Sequence, residues 1–150
     1  MLEKGVPEKA TYTLRGFDAA PQVYDLISSR QLNVHEKNGE YRFTCQIPGA
    51  SGAIFAIYPA GETPELKLSC RNNTLTVHTG FKSGLQPLKI MIYLPDGSVQ
   101  DRSGYHTAEK GVLKLDLAPA LNEPEGEWAV EVFDLTTGRE LSGKITVKRK

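Results

Sequence analysis

The chain has 150 residues, enough for one ordinary domain or two small ones. Lys plus Arg and Asp plus Glu both number 18, with no long run of either sign. Strong non-specific attraction to nucleic acid or anionic membrane is therefore not expected, because it needs clustered cations to displace counterions. Apolar residues make up 39% and fall in short alternating runs, none near the roughly 20 consecutive residues of a membrane helix.

From the N-terminus, Met1-Leu-Glu-Lys-Gly-Val-Pro7 lacks the apolar stretch of a secretory signal; an exported protein is expected to carry its signal elsewhere, with Met1 at a domain boundary, while a cytoplasmic protein would also begin this way. Nearly every segment that follows has the period-two pattern of a strand. Ala10 to Arg15 alternates Tyr12 and Leu14 with threonines; Gln22 to Leu26, Gln31 to His35, Glu40 to Ile47 and Ala53 to Tyr58 follow, punctuated by Asn-Gly, Pro-Gly and Ser-Gly. The stretch Pro59-Ala-Gly-Glu-Thr-Pro64 favours a connector over any regular element and predicts a boundary between modules 1–60 and 65–150.

Seven more strands are predicted beyond it: Leu66 to Cys70, Thr74 to Thr79, Leu88 to Leu94, Ser98 to Asp101, Val112 to Leu117, Glu127 to Leu135 and Glu140 to Val147. Leu88, Ile90, Ile92 and Leu94 face one way and Lys89, Met91 and Tyr93 the other, giving one dry and one wet face. Ala118 to Leu121 is expected to form at most a turn. The pattern predicts an all-β chain of two small antiparallel β-sandwich modules, the second immunoglobulin-like.

One internal echo links the halves. Val23-Tyr-Asp-Leu-Ile-Ser-Ser-Arg-Gln-Leu-Asn33 matches Val132-Phe-Asp-Leu-Thr-Thr-Gly-Arg-Glu-Leu-Ser142, with Val, Asp, Leu, Arg and the later Leu at identical spacing. Shared hairpin chemistry explains it, with Asp25 and Asp134 tying down turn amides and Arg30 and Arg139 at the exits.

The first half, with VYDL and then NGEYRFTCQIPGASGAIFAIYP, resembles the small all-β module at the C-terminal end of bacterial glycoside hydrolases related to β-galactosidases. The second, with PLKIMIYLPDGSV and PEGEWAVEVFDLTTGRELSGKITV, resembles the immunoglobulin-like or macroglobulin-type sandwiches of large secreted bacterial proteins. These resemblances imply accessory placement beside a catalytic or adhesive domain of a longer chain, in a secreted, periplasmic or cell-surface setting. They bring no catalytic residues to positions here.

The chemistry-bearing residues point the same way. His35, His78 and His106 are scattered with no ligand spacing, so no metal is expected. Asp96 with Asp101, and Glu123 with Glu125 and Glu127, lie in Gly/Pro-rich turns where nothing shelters a catalytic carboxylate; Asp96-Gly97 with Asp101 is better explained as a turn than as a calcium loop. Ser51 and Ser103 lack the nucleophile-elbow pattern. Cys45 and Cys70 fit two free buried thiols, with a disulfide as the alternative.

No catalytic, cofactor or metal residue is thus assigned. Sugars stack on exposed aromatic rings, so Trp128, Tyr93, Tyr105 and Tyr58 are weighed as ligand residues. Trp128 shares its face with Val130 and Val132 and is expected in the core, which leaves Tyr93 and Tyr105, the latter in a loop, as the candidates. The expected function is a non-catalytic accessory or docking region whose partner is a neighbouring domain or another protein. The alternative is a carbohydrate-binding module using the exposed tyrosines; an enzyme ranks third.

Overall fold

The computed structural model describes residues 7–49 and 51–149. Residues 1–6, on which the expected boundary start falls, lie outside the described residues, as do Ala50 and Lys150. The chain divides into two compact units, Met1–Glu62 and Thr63–Lys150. Among the described residues every regular element is a β-strand, and no helix is long and apolar enough to cross a membrane.

The first unit contains β1 (Glu8–Leu14), β2 (Gln22–Asp25), β3 (Arg30–Leu32), β4 (Val34–Lys37), β5 (Glu40–Ile47) and β6 (Phe55–Tyr58). They form two three-stranded antiparallel sheets, in the orders β1-β5-β4 and β3-β2-β6. Register sets Tyr12 opposite Phe43, so their rings share a face and stack at 5.1 Å. Phe55, from the other sheet, meets both edge-on at 5.4 and 5.0 Å. Such ring pairs add about 0.5–1.5 kcal/mol beyond the area they bury, and here they join the two sheets.

The second unit contains β7 (Lys67–Arg71), β8 (Thr74–His78), β9 (Leu85–Tyr93), β10 (Gly104–Glu109), β11 (Val112–Asp116), β12 (Gly126–Asp134) and β13 (Glu140–Val147). They make one antiparallel sheet in the order β13-β12-β9-β10-β11-β8-β7. It nearly closes on itself, because the edge strands meet: a Cβ added to Gly143 on β13 would lie 2.9 Å from Leu68 Cδ2 on β7. The inward set Leu75, Val77, Leu88, Ile90, Ile92, Trp128, Val130, Val132 and Val147 is fully buried in one cluster. Each such side chain contributes about 1.5–3 kcal/mol through the water it sheds. The Trp128 indole N–H donates to the Pro124 carbonyl at 3.0 Å, so its one polar atom is satisfied inside the core.

Turn chemistry follows the sequence closely. Asn38-Gly39, Asn72-Asn73 and Lys110-Gly111 have positive φ at both positions, the primed turn that matches strand twist in two-residue hairpins. The Asn73 side chain also donates to the Lys148 carbonyl at 2.6 Å and accepts from its N–H at 3.1 Å, so the β7–β8 turn grips the end of β13. Buried Gln86 ties a second turn: it accepts from Gly111 N at 2.9 Å and donates to the Ser83 carbonyl at 2.7 Å.

Several expectations are corrected. The predicted strand Gln31 to His35 is two strands in different sheets, for Leu32 pairs with Val23 while Val34 pairs with Phe43. Alternation runs unbroken through the corner at Asn33, which is why the pattern does not reveal it. Ser98 to Asp101 is not a strand; Val99 makes an isolated bridge to Tyr93. Its place is taken by β10, whose one fully buried apolar side chain is the small Ala108. The seven strands of the second unit form one continuous, nearly closed sheet. Its ladder narrows between β10 and β11, where the register pairs Glu109 with Val112.

Candidate functional site

The outer face of β10, β9, β12 and β13 carries the sequence-predicted ligand residues. Leu88, Ile90 and Ile92 are drawn inward, so the odd-numbered neighbours Lys89, Met91 and Tyr93 must point outward. Register then builds rows across the face. Tyr105, Lys89, Phe133 and Glu140 stand in one row, Met91, Glu131 and Ser142 in the next, and Tyr93, Ala129 and Lys144 in a third.

The two tyrosines have different surroundings. Tyr105 lies on β10, not in a loop, and is 77% exposed. Tyr93 is half-buried and donates its hydroxyl to Glu131 Oε2 at 3.2 Å. Partial burial, then the Glu131 charge and that hydrogen bond, raise the Tyr93 phenol pKa above its ordinary value of 10.0. Tyr105 is opposite Lys89, four residues from Tyr93 along β9, so the two side chains start about 13 Å apart in the strand direction. No ring contact joins them among the described residues.

Charged groups between the rings are engaged. Lys89 Nζ lies 5.9 Å from the centre of the Phe133 ring, a cation over a π face. Lys144 Nζ pairs with Glu127 at 2.7 Å, and the Glu127 hydrogen bond and charge raise its pKa. The result is a strand-held surface in which Tyr105, Phe133, Met91 and Tyr93 stand among charged groups engaged by rings, a hydroxyl or an ion pair.

The other candidates are dispersed. Trp128 is fully buried, and Tyr58 is 3% exposed with its ring edge-on to Tyr24 at 5.9 Å. His35 and His78 are exposed on β4 and β8, and a ring nitrogen of His106 lies 2.8 Å from the Arg102 carbonyl. No three His, Cys, Asp or Glu residues gather into a metal-sized cluster among the described residues. Asp96 accepts from the Ser98 amide at 2.9 Å and hydroxyl at 2.6 Å, and this turn chemistry lowers its pKa. Glu123 accepts from Gln100 and from Ala120 N, while Glu125 faces Arg149 at 3.7 Å. Ser51 donates to the Pro48 carbonyl, and the Ser103 hydroxyl bonds the Ile92 backbone. Cys45 and Cys70 are free and partly buried, and burial pushes both thiols up.

The echoed hairpins share their chemistry atom for atom. Asp25 accepts from Ile27 N at 2.9 Å and Ser28 Oγ at 2.6 Å; Asp134 accepts from Thr136 N at 2.9 Å and Thr137 Oγ1 at 2.6 Å. Both carboxylates are consumed by their own turns. Sequence reasoning did not single out Phe133 or Glu131, although their alternation with Val130 and Val132 was the available signal.

A scan of protein-family models and a search of curated proteins find no match to this chain.

Proposed function

We propose that this chain is a non-catalytic accessory region of a larger exported protein, and that its second unit docks a neighbouring domain or protein through the outer face of β10, β9, β12 and β13. The observation that carries this reading is Tyr105, a large ring 77% exposed on a rigid strand, set in a row with Lys89 and Phe133. Aromatic side chains offer large contact area at low conformational cost and are enriched at protein interfaces. The narrowed ladder at β10–β11 further supports a sandwich, with β7, β8 and β11 as one layer and β10, β9, β12 and β13 as the other.

Hydroxyl-radical footprinting tests the docking face. Tyr105 and Met91 are expected to be protected in the intact parent protein and labelled in this chain alone; equal labelling in both would refute docking. The second reading, a carbohydrate-binding module, rests on Tyr105 and on the Tyr93–Glu131 pair. Polysaccharide binding lost in Tyr105→Ala and Tyr93→Ala would favour it, although a 13 Å offset along the strand (about four residues) gives no groove between the rings.

A further inference from the structure

The sheet switch at Asn33 leaves a groove on the first unit, independent of the docking face. It is lined by Arg30, Gln31 and Leu32 from β3, Asn33 at the corner, His35 from β4 and Thr44 from β5. Its lining offers a guanidinium, an imidazole, two carboxamides and a hydroxyl, with no carboxylate and no Phe, Tyr or Trp ring. Stacking on a Phe, Tyr or Trp platform is therefore not its mode of recognition.

The cationic groups have spare capacity. No carboxylate forms an ion pair with Arg30 among the described residues. Asp25, its partner across the β2–β3 ladder, spends its oxygens on the Ile27 amide and the Ser28 hydroxyl. Beside the groove, Arg42 stands opposite His35 and donates from Nη2 to Glu40 at 2.9 Å, while its Nε is buried without a hydrogen-bond partner. An unpaired guanidinium fork fits a carboxylate bidentately. Gln31, Asn33 and Thr44 add amide and hydroxyl groups of the kind that hydrogen-bond sugar hydroxyls.

We propose that this groove binds an acidic saccharide, with Arg30 holding the carboxylate and Gln31, Asn33 and His35 contacting the ring hydroxyls. The test is an NMR titration of the whole chain with an oligogalacturonate, against a neutral oligogalactoside of equal length, an oligoglutamate peptide, and acetate. Amide shifts at Arg30, Asn33, His35 and Thr44 are expected with the oligogalacturonate alone. Losing a charged hydrogen-bonding partner weakens binding about tenfold or more, so Arg30→Gln should do so while Lys114→Ala, which removes an exposed cation from β11, leaves affinity unchanged. Should Arg30→Gln fail to give a folded spectrum, His35→Ala on the exposed face of β4 is expected to weaken binding about threefold. The proposal is overturned by absent shifts, by equal binding of the neutral sugar, the peptide or acetate, or by unchanged affinity in the folded variants.

Discussion

Gly111 offers the sharpest test of how the second unit is closed. It has φ +77°, and a Cβ there would sit 2.0 Å from the Phe81 carbonyl oxygen. Gly97 has nearly the same backbone, φ +83°, but nothing within 4 Å of an added Cβ. Placing alanine in the left-handed region costs about 1–2 kcal/mol, and that is all Gly97→Ala should lose. Gly111→Ala must also move the backbone away from Phe81. That strains the 2.9 Å bond from Gly111 N to buried Gln86 Oε1 and the 2.9 Å bond from Thr79 N to the Gly111 carbonyl. Leaving such buried groups unpaired adds about 2–3 kcal/mol, for a total of about 3–5 kcal/mol. Urea unfolding followed by fluorescence of Trp128, the one tryptophan and a residue of this unit's core, reports the loss directly. Two variants within about 0.5 kcal/mol of each other would refute the close approach of the hairpin to the loop before β9.

Other substitutions test other parts of the fold. Trp128→Ala should destabilise the second unit by about 3–5 kcal/mol, measured by circular dichroism because the fluorophore is lost; a change below about 1 kcal/mol would place the indole outside the core. Ser29 holds φ +49° where the echoed hairpin has Gly138 at +72°, so Ser29→Gly should stabilise the first unit by up to about 1 kcal/mol in amide-exchange measurements. At Asp25 burial pushes the pKa up, but hydrogen bonds from Ser28 and Ile27 and the charge of Arg30 outweigh it and leave the carboxyl below its ordinary 3.8. Its stabilisation is therefore present above that value and is lost as pH falls through the lower folded-state pKa. Acid titration of Asp25→Asn should show a shallower loss of first-unit stability over that range than the parent chain; identical acid profiles would contradict the assignment.

The all-β class was legible because period-two alternation and Asn-Gly, Pro-Asp-Gly and Thr-Gly turns are local signals, and the echoed Asp25 and Asp134 turns were readable down to their function. Two elements were not. Strand β10 hides because it contributes one small fully buried residue, Ala108, and its pairing with β9 supplies the ladder that its composition does not announce. The break at Asn33 hides because Leu32 and Val34 keep the parity that either sheet would accept.

The candidate surfaces divide along the same line. The sequence by itself determined which residues of β9 and β12 turn away from the core, since alternation fixes the side of a strand on which a side chain emerges. Only the tertiary structure decided that Tyr105 joins Lys89 and Phe133 in one row, and that Arg30, His35 and Thr44 meet around Asn33. Register and sheet membership are set by hydrogen bonds between segments distant in the chain, and no local pattern encodes which distant segment will supply the partner.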